Sequence, residues 1–104
     1  MAIVETYQTT AYKIDWETLA SKVEKLVMDK LASDLESWPD DRGMRAMFLG
    51  DASDGVEVAE LLAQGSWPAV DTRLWEMDTA ARDHVYDFIE QVAGPEFFAI
   101  VRSK

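Results

Sequence analysis

His84 is the single histidine of the chain, and its surroundings are the first place where chemistry could be built. Asp83 stands beside it and Asp87 lies one helical turn further on. A His-x-x-Asp pair on a helix supplies two metal ligands, or an imidazole base held by a carboxylate. Two groups complete neither chemistry. The chain has no cysteine, so thiolate metal sites, thiol nucleophiles and disulfides are all excluded. There is no phosphate-cradling P-loop, no dinucleotide glycine fingerprint and no Gly-x-Ser-x-Gly turn. The stretch from Gly50 to Gly55 (GDASDG) has the composition of a calcium loop. With Gly55 as the turn glycine, however, the first, third and twelfth ligand positions fall on Gly50, Ala52 and Leu61, none of which carries a carboxylate. The expectation is a protein without catalytic residues, metal or cofactor, in which His84 is a boundary histidine with carboxylate neighbours. A small enzyme or ligand-binding domain built on His84 is the alternative.

Carboxylates are plentiful and fall in rows. Asp83, Asp87 and Glu90 are spaced i, i+4, i+7, so a helix lines them up along one side. Glu57 and Glu60 repeat the pattern with Asp54 just before them, and Asp34, Glu36, Asp40 and Asp41 crowd a Ser37-Trp38-Pro39 corner. Carboxylates one turn apart sit about 5–6 Å from each other, close to the roughly 6–7 Å between successive phosphates of one nucleic-acid strand. Such rows can compete for a basic groove that normally holds DNA or RNA. The simpler explanation is a charged, solvated surface, which any small domain needs. Lys22, Lys25 and Lys30 also make the first helix mixed in sign rather than uniformly negative.

A second Ser-Trp-Pro tripeptide occurs at Ser66-Trp67-Pro68. Trp38 and Trp67 are each either a core plug at a helix corner or an exposed anchor for a partner, because tryptophan is prominent in both settings. Met44, Met47 and Phe48, beside Arg42 and Arg45, form an adaptable apolar group of the kind that either packs a core or accommodates a partner.

The charge balance chooses among function classes. Twenty acidic residues against ten basic ones give a formal net charge of −10. That argues against direct binding to nucleic acid or an anionic membrane, since both require neutralisation of phosphates. It favours a protein partner with a basic surface, including a nucleic-acid-binding protein. The expected activity is non-enzymatic: binding that inhibits or bridges a macromolecule by steric and electrostatic occlusion. The expected contacts are Asp34, Glu36, Trp38, Asp40, Asp41, Trp67, Asp83, Asp87 and Glu90. Small inhibitors from phages and mobile elements that act on restriction or CRISPR machinery share this compositional profile. A structural homodimer that buries exposed aromatics is a further alternative.

These residues need elements to position them. At 104 residues the chain is read as a single acidic helical domain over 1–104. Residues 1–14, rich in β-branched and aromatic types, read as an extended arm or strand. Residues 15–94 read as a helical body, and 95–104 as a strand or tail, in which Phe97 to Val101 form either a strand or a final helical turn. Asp15 is a good N-cap, and Trp16, Leu19, Val23, Leu26, Val27, Leu31 and Leu35 recur at helical spacing after it. Lys25 with Asp29 and Lys30 with Asp34 have the spacing of ion pairs. Pro39 ends this helix. A short helix follows with Met44, Met47, Phe48 and Leu49 on one side, then a turn at Gly50–Gly55. Asp54 and Glu57 form a capping box for another helix that closes at Gly65. Val70, Leu74, Trp75 and Met77 suggest a further short helix. Asp78 caps the last one, with Ala81, Val85, Phe88, Ile89 and Val92 as its apolar stripe and Gly94-Pro95 as its stop. The fold class is therefore mainly α, a small bundle of four to five helices with Trp-Pro corners. A short β pair between residues 2–8 and 97–101 would make it an α+β variant. No apolar run approaches the roughly 18 residues of a membrane span, and the first residues lack the basic and apolar regions of a signal peptide. The expected location is the cytoplasm.

Overall fold

The computed structural model describes residues 4–6 and 12–102, and five helices dominate it. The first is α1 (Trp16–Ser37). Asp15 caps it as expected: its carboxylate accepts from the Thr18 backbone N–H at 3.1 Å and from the Thr18 hydroxyl at 2.8 Å. Leu19, Ala20, Val23 and Val27 form its buried stripe. The helix ends at Trp38, whose N–H donates to the Asp34 carbonyl, because Pro39 disfavours a helical conformation before it.

Helix α2 (Arg42–Ala63) returns antiparallel to α1 and overturns one expectation. It runs unbroken through Gly50–Gly55, where a turn between two helices was expected. Glycine, serine and aspartate favour turns locally, at up to about 1 kcal/mol per residue against alanine. Here the small residues serve packing instead. Ala52, Gly55 and Ala59 are buried along one face. A Cβ placed on Gly55 would lie 2.9 Å from Cγ1 of Val27, so only glycine lets α1 come this close. The expected capping box is likewise replaced. Asp54 and Glu57 both accept from Arg73 on α3 (Trp67–Glu76), at 2.6 Å and 2.8 Å. Gln64 and Gly65 end α2, and Gly65 takes the left-handed φ of +76° that glycine allows.

Helix α4 (Thr79–Ala93) buries Ala81, Val85 and Ile89. Asp78 occupies its N-cap position but makes no side-chain capping bond. Residues 97–101, open between a strand and a final helical turn from sequence, belong to α5 (Phe97–Arg102). A six-residue helix is too short to hold itself together, and aromatic packing sets its conformation. Phe97 is fully buried, edge-on to Trp16 at 5.9 Å and to Trp67 at 5.5 Å. Among the described residues the expected pairing of the two chain ends is therefore not formed; positions 2, 3, 7 and 8 of that expectation lie outside the described residues. The N-terminal arm pairs with itself: β1 (Val4–Thr6) and β2 (Tyr12–Ile14) are antiparallel, with Val4 opposite Ile14.

One core cluster draws on α1 through α5, and its placement is lopsided. On α1 every buried residue lies between Leu19 and Val27; on α2 every one lies between Ala52 and Leu62. From Met28 to Asp51 no residue is buried. The far half of the α1–α2 hairpin thus projects from a packed base, and the molecule measures 55 × 26 × 20 Å. Among the described residues no helix is long and apolar enough to cross a membrane.

Candidate functional site

The projecting tip collects most of the residues singled out from sequence. Glu36, Trp38, Asp40 and Asp41 are exposed there, and Asp34 is half-buried. Two of these carboxylates have local duties. Asp41 is the N-cap of α2, accepting from the Met44 N–H at 3.0 Å. Asp34 pairs with Lys30 at 3.1 Å; the matching Lys25–Asp29 pair does not form among the described residues. Arg45 holds the two helices of the tip together by donating to the Leu35 carbonyl at 3.2 Å, a cation on the negative end of α1.

The tip is also where apolar surface stays open. Met28, Met47 and Leu49 are 47–51% exposed and Trp38 is 48% exposed. Among the described residues, the one other large apolar side chain this open is Trp75, which lies on α3 under the Arg82 guanidinium at 4.2 Å. Of the expected anchors, Trp38 is therefore accessible and Trp67 is not. Trp67 is only 6% exposed, with Phe97 edge-on and Phe98 tilted against it. It is removed from the contact set, because α5 covers its ring.

Asp83, Asp87 and Glu90 are exposed along α4 and make no ion pair or hydrogen bond among the described residues. The comparable row on α2 is compromised, since Arg73 takes up Asp54 and Glu57. The α4 row is the one whose charge is fully presented to solvent.

His84 does not engage Asp83 or Asp87. It stacks on Phe88, centroids 6.4 Å apart, at the mouth of a cavity of about 130 Å³ between α1, α2 and α4. The polar groups on this cavity come from three helices: Lys30 and Asp34 from α1, Asp51 from α2 and His84 from α4. Met47, Phe48 and Phe88 supply apolar wall. Partial burial holds the Asp51 carboxyl above its ordinary value, and the negative charges of Asp78 and Asp54 push the same way while His84 opposes them. Sequence reasoning missed Asp51 because it treated 50–55 as a turn. Read as one continuous helix, Asp51 falls a turn after Met47 and Phe48, on the same face. Among the described residues no group of three or more His, Asp or Glu side chains is arranged to hold a metal ion.

No protein-family model, curated protein or solved structure matches this chain.

Proposed function

We propose that this protein is a small acidic binding module whose projecting hairpin tip docks on a protein partner with a basic surface and occludes it. The observation that carries this reading is the open surface of the hairpin tip, which α4 backs on one side only. From Met28 to Asp51 no residue is fully buried; Trp38 is half-exposed beside Asp40 and Asp41, with Glu36 exposed on the last turn of α1, Met47 lies near Asp34 on the α4 side, and Met28 and Leu49 open on the other side of the hairpin. Exposed large apolar residues rimmed by charge are the usual composition of a protein-binding surface. The charge supplies steering: association with a basic partner is fast at low ionic strength and slows as salt rises. The finer form of the reading is a nucleic-acid-mimicking inhibitor of a nucleic-acid-binding protein, of the phage or mobile-element type. The unpaired Asp83, Asp87 and Glu90 row supports that form. It needs no catalytic residue, metal or cofactor.

The test is retention of a partner from native-source lysate on the immobilised protein, eluted with a salt gradient. A charge-matched acidic protein and a Trp38→Ser/Met47→Ser variant run in parallel. A partner held by the wild-type chain alone, and released by moderate salt, is the expected result. Equal retention on the acidic control or on the variant would remove the tip from the mechanism.

A second reading follows from the cavity at His84. About 130 Å³ with mixed polar and apolar walls is close to the volume that admits a benzene-sized molecule. Saturation of a small-molecule thermal-shift response that disappears in His84→Ala, with folding intact, would favour it over the binding module.

A further inference from the structure

The α1–α2 hairpin has two sides. Helix α4 covers one. The other is open and carries a groove of about 530 Å³. Its α2 wall is Leu49, Ser53, Val56 and Glu60, with Glu57 beside them; its α1 wall is Met28 and Leu31, over a floor at Ala52. Leu49, Ser53, Val56 and Glu60 are spaced i, i+4, i+7, i+11, so the wall runs about three turns, or roughly 16 Å.

The groove is polarised along its length. Leu49, Met28 and Leu31 make its tip end apolar, and Leu35 continues that face by helical spacing. Its base end is acidic. Glu60 lies one turn beyond Val56, and Glu24 lies one turn before Met28 on the same face of α1. Glu24 and Glu60 are exposed and form no ion pair among the described residues, whereas Glu57 is engaged by Arg73. Lys22 points away from this face by its helical position, and Lys25 stands at its outer edge, three residues before Met28.

We propose that this groove seats an amphipathic helix of the partner, apolar along the stretch that meets Met28, Leu31 and Leu49 and rich in Lys or Arg where it meets Glu24 and Glu60. Two helices already in contact leave a trough of the right length for a third, and helix-in-groove recognition anchors through residues one turn apart. The charge pattern selects the occupant. A second copy of this chain would bring an equally acidic base end and a net charge of −10 against a like surface, which opposes pairing. This inference rests on the binding-module reading and assigns the side of the hairpin and the chemistry of the partner.

The probe is an amphipathic Leu/Lys peptide of about four helical turns, with a same-composition peptide scrambled to destroy its apolar face. Both carry equal charge, so non-specific attraction to an acidic protein is common to both. The amphipathic peptide is expected to bind more tightly than the scrambled one by at least about tenfold. It should gain helicity on binding and shift the resonances of Met28, Leu31, Leu49 and Val56. Met28→Ser/Leu49→Ser, at two half-exposed positions, should erase the difference while leaving scrambled-peptide binding and the circular dichroism of the protein unchanged. Glu60→Gln should weaken both peptides. Equal affinity for the two peptides overturns the proposal, as do resonance shifts confined to α4 or the Trp38 corner. A concentration-dependent dimer abolished by Leu49→Ser overturns it in favour of a second copy. Applied to the captured partner, the same variants separate the two levels. Loss with Trp38→Ser but not with Met28→Ser/Leu49→Ser sinks the groove and keeps the binding module; indifference to both sinks the module.

Discussion

At one end of the α1–α2 hairpin a Ser-Trp-Pro corner holds its indole in solvent, and at the other the same tripeptide holds it in the core. Trp38 closes α1 at the tip and is 48% exposed; Trp67 opens α3 at the base and is 6% exposed. Local sequence gives both the same instruction, a helix boundary set by proline. What differs is what the rest of the chain delivers. Helix α5 brings Phe97 and Phe98 onto Trp67, and nothing in the described fold is brought onto Trp38. The tryptophan ring supplies a large area to bury in either setting. At the base folding uses it, and at the tip it is left for a partner.

The widest break between the two ends should come from the tryptophans themselves. Trp67→Ala removes a core ring and should cost about 3–5 kcal/mol of stability. Trp38→Ala should change it by no more than about 0.5 kcal/mol, as exposed substitutions do. Urea denaturation of the two variants measures both. Equal losses would mean that the tip is packed after all.

Two of the three glycines of α2, Gly50 and Gly55, sharpen the contrast with opposite signs. Gly55→Val drives methyl groups into Val27 and should destabilise by about 1–3 kcal/mol. Gly50, five residues nearer the tip, has nothing within 4 Å of where a Cβ would stand. Gly50→Ala should therefore stabilise the helix by about 0.5–1 kcal/mol. Thermal denaturation reads both, and a destabilising Gly50→Ala would reveal a close neighbour at the tip.

This pair of glycines also shows where the sequence was legible and where it was not. Helix α1, its Asp15 cap, the stop at Pro39 and the apolar stripe of α4 could all be read, because spacing, caps and proline act locally. The continuity of α2 could not. Gly50, Asp51, Ser53 and Gly55 are turn formers by themselves, and the deciding contact is with Val27, some 28 residues earlier. The tail stays open between a strand and a final helical turn for the same reason: Ile100 and Val101 favour a strand, and it is the contact of Phe97 with Trp16 and Trp67 that decides for the helical turn. Of the candidate site, the tip carboxylates and Trp38 were readable because they are neighbours in sequence. The meeting of Asp34, Asp51 and His84 on one cavity was not, since it requires three helices to be in place.

The smallest expected effect lies at the boundary between base and tip. Burial raises the Asp51 pKa above its ordinary value of 3.8, so between that value and the folded-state value the native protein holds more protons than the unfolded chain. Stability contributed by this group accordingly falls as pH rises through that window, and its ionised form is a small cost at neutral pH. Asp51→Asn should be the more stable protein at pH 7, with an advantage that shrinks to nothing as pH drops below 3.8. Denaturation of both proteins across that range checks the sign. A constant difference at every pH would assign the effect to packing.

The placement of the four tryptophans gives the molecule a built-in optical gauge. Trp16 and Trp67 lie against the Phe97 ring at the base, whereas Trp38 and Trp75 face water. Indoles in water emit further to the red and are quenched readily by acrylamide. A Trp75→Phe protein would leave Trp38 as the sole exposed emitter among the described residues, so shielding of the tip would register as a blue shift and a drop in quenching. An unlabelled chain could then report, in real time, the moment its tip is covered.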